Sequence, residues 1–160
     1  MAAPDIVNVT SILGKTAYDT DISNVSSAIL TNATGSNKVL KVNTLIIANI
    51  DGANAADITA TLCAADANFQ IEAGTDGGSS GNIVLDGTDG SSTDENSAIL
   101  LQETVLSSLA STISVPNDST LVVLSKDTSI YLEEDRSIFL SASAAGDLSG
   151  TISYEELDDA

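Results

Sequence analysis

The sequence predicts an all-β protein, an antiparallel β-sandwich of jelly-roll-like form, in a single domain that spans residues 1–160. Apolar residues recur in short runs with a period of two, which is the pattern of half-buried strands. Val and Ile are concentrated in those runs, and Gly, Asn, Asp or Pro separates one run from the next. No segment has the 3.6-residue periodicity of a long amphipathic helix. Many short strands joined by turns are therefore expected.

The strand around which we expect the others to pair covers residues 38–51, KVLKVNTLIIANID. Leu40 and Val42 alternate with polar residues, whereas residues 45–47 are apolar on both faces. At the edge of a sheet such a run would be exposed. Residues 39–49 are therefore predicted to be internal and paired on both edges, with Ile46 in the core.

Shorter strands are predicted on either side of it in the chain. They cover residues 6–13, 25–30, 57–64, 68–73, 98–101, 109–115, 121–124, 130–132, 138–144 and 149–154. Gly14 is expected to end the first of them, and residues 121–124 are expected to be buried. Leu109, Ile113 and Val115 are expected to share one face of their strand before Pro116 begins a turn.

A long polar insertion and an acidic tail complete the chain. Residues 74–97 read GTDGGSSGNIVLDGTDGSSTDENS, and residues 155–160 are mostly acidic. Gly, Ser and Asp at this density favour a loop, and a loop of that length in a compact domain usually makes contacts or moves. We expect an exposed insertion at 74–97 and a solvated tail at 155–160.

The insertion also holds the one group of residues that resembles a metal site. Asp86, Asp89, Asp94 and Glu95 are weak calcium candidates, because calcium prefers oxygen ligands on a glycine-turned loop. Their spacing matches neither the EF-hand nor the glycine-rich nonapeptide repeat. A solvated acidic loop is the simpler interpretation, and no cofactor is predicted.

The chain is strongly acidic, with 23 acidic residues, 5 basic residues and a formal net charge of −18. Such a surface repels phosphate, which argues against binding to nucleic acid or to an anionic membrane. Residues 1–5 lack the basic and apolar regions of a signal peptide, and no apolar run approaches the ~18 residues of a membrane span. We expect a soluble protein made in the cytoplasm.

The sequence offers little for catalysis. It has no histidine and a single cysteine, Cys63, so neither a Ser-His-Asp nor a Cys-His arrangement can be assembled. Adjacent carboxylates at Glu133, Glu134 and Asp135 are interpreted as a solvated turn rather than an acid/base set. Cys63 is interpreted as a half-buried strand residue rather than a reactive thiol. We predict that the protein is not an enzyme.

Three segments resemble a known protein family. They are residues 36–52 (SNKVLKVNTLIIANIDG), residues 109–116 (LASTISVP) and residues 121–135 (LVVLSKDTSIYLEED). In this combination they are similar to small virion structural proteins of tailed phages that infect marine bacteria and cyanobacteria. The resemblance covers most of residues 7–156 but departs at residues 69–107, where the relatives are shorter. It carries over no catalytic residue.

The resemblance implies a non-enzymatic virion component, most specifically a capsid decoration (cement) protein that bridges subunits of the major capsid protein on the capsid exterior. A tail, neck or fibre-attachment protein is one alternative. A carbohydrate-binding or adhesion module is another, but the three Tyr and two Phe are too scattered to suggest a stacking platform. Because acidic subunits repel one another, apolar and backbone contacts must drive self-association. A homo-oligomer is expected, with a trimer favoured.

Overall fold

The computed structural model describes residues 9–64 and 105–158, which fold almost entirely as β-strands. The elements are β1 (Ser11–Asp19), β2 (Ser27–Asn32), β3 (Lys38–Asn49), β4 (Ala56–Ala64), β5 (Val105–Val115), β6 (Thr120–Leu124), a 3₁₀ turn (Lys126–Thr128), β7 (Ile130–Leu132), β8 (Arg136–Ala142) and β9 (Leu148–Asp158). These two ranges contain no α-helix, so the predicted all-β class is confirmed. The strands predicted at residues 68–73 and 98–101 and the insertion at 74–97 lie outside the described residues.

The strands form two antiparallel sheets that enclose one core. Sheet A has the order β1-β9-β3-β6, with β7 also paired to β3, and sheet B has the order β2-β8-β4-β5. β6 and β7 occupy the same edge of β3 one after the other, so they act as a single interrupted strand. With that strand counted once, the strand order is that of a jelly roll.

β3 is internal, as the sequence predicts. One edge pairs with β9 along its whole length, and the other pairs with β6 and β7. Its inward side chains supply one wall of the core between the sheets. β3 is thus the strand to which most of sheet A is attached.

A β-bulge in β3 decides which of its apolar residues enter the core. The register against β9 shifts between Val42 and Thr44, and the extra residue moves the inward positions from even to odd numbers. Val42, Leu45 and Ile47 are therefore all fully buried. Ile46 faces outward and is only half-buried. The prediction that Ile46 lies in the core is wrong. Three consecutive apolar residues give no sign that the inward-facing positions change from even to odd numbers at the bulge.

The core consists of aliphatic side chains from both sheets. The fully buried isoleucine and leucine residues are Ile22, Leu45, Ile47, Ile58, Leu132, Ile138, Leu140, Leu148 and Ile152. Gly150 lies opposite Ile47 in the register of β9 with β3. A Cβ atom there would lie 3.0 Å from Cδ1 of Leu140 in sheet B. Glycine at this position lets the two sheets approach.

Two buried asparagines join the sheets at opposite ends of β3. Asn32 of β2 donates from Nδ2 to the carbonyl oxygen of Leu132 in β7, at 3.0 Å. Asn49, the last residue of β3, donates from Nδ2 to the carbonyl oxygen of Val115 in β5, at 2.9 Å. Each amide thus donates a hydrogen bond from one sheet to a backbone carbonyl of the other. These bonds fix how the two sheets sit on each other.

Several predicted strand boundaries and faces need correction. β1 does not end at Gly14 but continues to Asp19, because Gly14 pairs with Glu155 of β9 in an unshifted register. Residues 121–124 are not buried as a unit, because β6 is an edge strand and Val122 points outward. In β5 the register shifts, so Ala110 is buried in place of Leu109.

β9 is longer than predicted. It was expected to end at Tyr154, but the strand continues to Asp158. Its inward positions are the even ones, from Leu148 through Ile152 to Glu156, which is buried. Residues 155–158 of the predicted acidic tail therefore belong to sheet A.

Substitutions at two neighbouring residues of β3 test which of them faces the core. Ile47→Asp places an unpaired carboxylate in the core, which costs several kcal/mol, comparable with the ~5–15 kcal/mol stability of a whole domain. This variant is expected not to fold. Ile46→Asp places the same group on the outer face and is expected to cost only about 1–2 kcal/mol.

Circular dichroism and thermal unfolding of the two purified variants measure the difference. A folded Ile47→Asp variant, or an Ile46→Asp variant that fails to fold, contradicts the assignment of inward and outward residues.

Candidate functional site

The outer face of sheet A carries a row of side chains that runs across all of its main strands. Pairing registers place Tyr18 of β1, Thr151 of β9, Ile46 of β3 and Val122 of β6 side by side. Tyr18 is 73% exposed and Val122 is 56% exposed. The solvent face of an antiparallel sheet is normally polar, so this long row is an exposed and largely apolar strip.

A second, short row lies at the other end of the same face. It consists of Ile12, Leu157 and Val39, which are register partners in β1, β9 and β3. Ile12 is 62% exposed, whereas Leu157 and Val39 are buried although they lie outside the main core. Apolar side chains thus occupy both ends of the outer face of sheet A.

Between the two rows lies a polar group centred on Glu155. Its carboxylate accepts a hydrogen bond from Nζ of Lys41 at 3.4 Å and from Nδ2 of Asn43 at 3.2 Å. Asn43 sits at the bulge of β3, which turns its amide towards β9. The exposed ring of Tyr131 is the register neighbour of Lys41 on β7. The middle of the face is therefore hydrogen-bonded and ion-paired rather than apolar.

On the inner side of sheet A, Glu156 binds two lysines at once. Lys15 Nζ lies 2.7 Å from Oε2, and Lys38 Nζ lies 2.7 Å from Oε1. Glu156 is only 8% exposed, and a carboxylate at such a position needs partners that compensate its lost hydration. This cluster is absent from the sequence prediction, because the last strand is predicted to end at Tyr154. The signal available was the alternation of Ile152 and Tyr154, which continues unbroken to Glu156.

These contacts shift the pKa values of the participating groups. Hydrogen bonds from Lys15 and Lys38 lower the pKa of Glu156 below its ordinary value, against the opposing effect of burial. The hydrogen bond to Glu156 raises the pKa of Lys38. Hydrogen bonds from Asn43 and Lys41 lower the pKa of Glu155. Each shift favours the charged form, so the ion pairs are intact at neutral pH.

All four lysines of the chain surround these two glutamates. Lys15, Lys38 and Lys41 make the ion pairs, and the charge of Lys126, in the 3₁₀ turn, also lowers the pKa of Glu155. In a chain with a net charge of −18, this concentration leaves the β1-β9-β3 region close to electrically neutral. It is the region that another acidic protein can approach with least repulsion.

The carboxylates predicted to form a solvated turn after β7 are instead tied to the loop before β3. The backbone N–H of Asn37 donates to Oε1 of Glu134 at 2.6 Å. Asp135 is buried, its N–H donates to the carbonyl oxygen of Asn32 at 3.0 Å, and its carboxylate accepts from the hydroxyl of Thr34. Glu134 and Asp135 therefore have a structural role, and Glu133 alone remains exposed.

The other predicted site residues do not form a site within the described structure. Asp86, Asp89, Asp94 and Glu95 lie outside the described residues. Among residues 9–64 and 105–158, no three Asp, Glu or Cys side chains are grouped so that they could hold a metal ion. Cys63 is a strand residue as expected, but it is fully rather than half buried.

Comparison with protein-family models, with curated proteins and with solved structures finds no match to this chain. A search of the described residues for a membrane span finds no helix with the necessary length and hydrophobicity. The fold and the surface of sheet A are therefore the features that bear on function.

Glu156→Gln is expected to lower the free energy of unfolding at pH 7 by roughly 1–2 kcal/mol, because it removes the charge from two hydrogen bonds while keeping the shape. Folding lowers the pKa of Glu156, so its contribution is complete above the ordinary glutamate pKa and is lost as the pH falls through the lowered value. The difference from the unmodified protein should therefore be smaller at pH 2.5 than at pH 7.

Urea unfolding of both proteins at the two pH values measures this difference. Comparison between variants is needed because protonation of the other carboxylates also relieves repulsion across the whole chain. The exposed Glu133→Gln change is the matched control and should have little effect at either pH. A Glu156 effect that is the same at pH 7 and pH 2.5 contradicts the ion-pair assignment.

Proposed function

We propose that this protein is a non-enzymatic structural component of a tailed-phage virion, most specifically a capsid decoration protein that bridges capsid subunits. The observation that carries the proposal is the outer face of sheet A. It exposes the long apolar row and Ile12 of the short row, and between the two rows Lys41 forms an ion pair with Glu155. Exposed apolar strips of this kind mark surfaces that bind other proteins.

The charge of the chain supports a protein partner rather than a nucleic acid. Phosphate binding needs exposed cationic groups, but Lys15, Lys38 and Lys41 already bind Glu155 or Glu156. Arg136 donates to a backbone carbonyl. A net charge of −18 would also keep decorated particles apart in solution.

The fold and the sequence resemblance point in the same direction. Jelly rolls recur in viral capsid domains, although they also occur in lectins and in cupins, so the fold supports the proposal only by analogy. The resemblance of residues 36–52, 109–116 and 121–135 to small phage virion proteins narrows that analogy to a virion.

A decoration protein acts through geometry rather than chemistry. If one copy contacts two neighbouring capsid subunits, separation of those subunits breaks both contacts. Association among copies adds to this effect, and we propose a homo-oligomer held together by apolar and backbone contacts. The protein is then made in the host cytoplasm and ends on the exterior of the capsid.

A tail, neck or fibre-attachment protein is the nearest alternative, because it needs the same kind of docking face and equally little chemistry. Copy number separates the two possibilities, since a capsid exterior offers hundreds of equivalent positions and a neck or fibre site offers about a dozen or fewer. A carbohydrate-binding role is less well supported. Tyr18 and Tyr131 lie on strands at opposite edges of sheet A, about 14 Å apart across the strands, which is too far for one stacking platform.

A count of protein copies in purified particles tests both the role and the surface. Particles that carry the unmodified protein are expected to contain it in hundreds of copies. Val122→Asp places a charge in the long row and should reduce incorporation at least about tenfold, since 1.4 kcal/mol of binding energy corresponds to that factor.

Val25→Asp is the matched control, because Val25 is also exposed but lies outside sheet A. It should leave incorporation unchanged. Absence of the unmodified protein from purified particles overturns the virion role. A dozen or fewer copies overturns decoration in favour of a neck or fibre site, and equal loss in both variants overturns the docking face.

A further inference from the structure

β1 is the one long and regular free edge of the described structure. Within residues 9–64 and 105–158 the sandwich has four edges, formed by β1, β2, β5 and the β6/β7 strand. β2 and β5 have shifts in their pairing registers, and β6 is separated from β7 by the 3₁₀ turn. β1 pairs with β9 without any shift. Bulges, breaks and charges normally protect an edge from pairing with another chain. β1 has neither a bulge nor a break, and its one lysine, Lys15, is bound by Glu156.

The side chains of β1 are also unusual for an exposed edge. Ile12, Leu13 and Tyr18 are all about half exposed or more. The strand carries one cation, Lys15, and one anion, Asp19, so its net charge is zero in a chain of net charge −18. Repulsion between copies of the protein is therefore smallest along this edge.

The sequence of β1 is complementary to itself when the strand is reversed. An antiparallel register centred on Lys15 places Ile12 opposite Tyr18 and Leu13 opposite Ala17. Ile12 and Tyr18 lie on the outer face of sheet A, and Leu13 and Ala17 on the inner face. Apolar side chains then meet apolar side chains on both faces, which is the arrangement that stabilises neighbouring strands.

We propose that β1 pairs with β1 of a second copy in this register, so that sheet A becomes continuous across the two molecules. This inference rests on the proposed homo-oligomer and names its interface. The contact is isologous, with the two-fold axis beside Lys15, and it closes as a dimer. It therefore favours a dimer over the trimer expected from the sequence.

The dimer also joins the two apolar rows on the outer face. The long row of one copy ends at Tyr18, and the short row begins at Ile12. In the proposed register Tyr18 of one copy lies beside the partner subunit's Ile12. One continuous apolar row then crosses both copies, and the two-fold axis generates it twice. The docking face proposed for a capsid partner is thereby doubled.

Lys15 of each copy meets the partner subunit's Lys15 at the two-fold axis. Each ammonium group is already bound by the carboxylate of Glu156 in its own chain, at 2.7 Å. Because Glu156 offsets each positive charge, the like-charged pair does not oppose association strongly.

Disulfide trapping tests the register. In the proposed dimer the two Lys15 Cα atoms are about 4.5–5.5 Å apart, within the range that a disulfide spans. Lys15→Cys is expected to form a covalent dimer in near-complete yield on mild oxidation of the full chain. Ser11→Cys places the two sulfurs about 27 Å apart along the strands. This variant should run as a monomer on a non-reducing gel.

The unmodified protein controls for Cys63, which is fully buried. Equal cross-linking of Lys15→Cys and Ser11→Cys overturns the register. Absence of cross-linking in the Lys15→Cys variant, in a solution where sedimentation shows a dimer, overturns the β1 interface but leaves the homo-oligomer standing.

A charge exchange tests the same register without cysteine. Ile12→Lys and Tyr18→Asp should each weaken the dimer at least about tenfold, because each puts a charge opposite an apolar side chain. The double variant I12K/Y18D places the new ammonium opposite the new carboxylate at both ends and should restore most of the affinity. Sedimentation equilibrium measures all four proteins, and a double variant as weak as the single variants overturns the pairing.

These results are separable from the virion role. A protein that forms the β1 dimer but is absent from particles overturns the virion role alone. A protein that is abundant in particles and stays monomeric at every concentration overturns the dimer alone. If β1 pairs with a capsid protein instead of a second copy, the Lys15→Cys variant will cross-link only in particles. The product will then contain a chain of different mass.

Discussion

The pairing of β3 with β9 is the contact on which the rest of sheet A depends. β9 lies between β1 and β3, and β3 lies between β9 and the interrupted β6/β7 strand. β1 is paired to the described structure only through β9. β1, the first strand of the described chain, therefore pairs only with β9, the last strand. Pairings of such sequence separation form late and slowly in folding.

The fold class was predictable from the sequence because alternation and turn residues are local signals. The phase of β3 was not, since three consecutive apolar residues fit either face, and only the bulge beside Asn43 shows that Ile46 points outward. The pairs that join the sheets were not predictable either. Asn32 and Asn49 look like ordinary turn residues, and the carbonyl groups that they bind in the opposite sheet lie far away in the chain.

The candidate surface was the least predictable part. It arises where residues distant in sequence become register neighbours, such as Tyr18, Ile46 and Val122. The acidic end of the chain looked like a solvated tail because acidic residues are usually hydrated. In the folded protein Glu155 and Glu156 form ion pairs with Lys15, Lys38 and Lys41. Although the net charge of the chain is −18, the region beside the free edge of β1 is nearly neutral. Repulsion between associating molecules is therefore smallest there.

The central claim is that β3 and β9 form the stable centre of sheet A and that β1 is the edge used for association. Amide hydrogen exchange, measured over a range of protein concentrations, is the most direct test of it. Amides of residues 45–47 should exchange most slowly at every concentration, since they open only with the whole domain. Those amides of β1 that point away from β9 should exchange quickly in dilute solution and become protected as the concentration rises. Fast exchange at residues 45–47, or β1 amides that stay unprotected while the protein associates, would contradict the account.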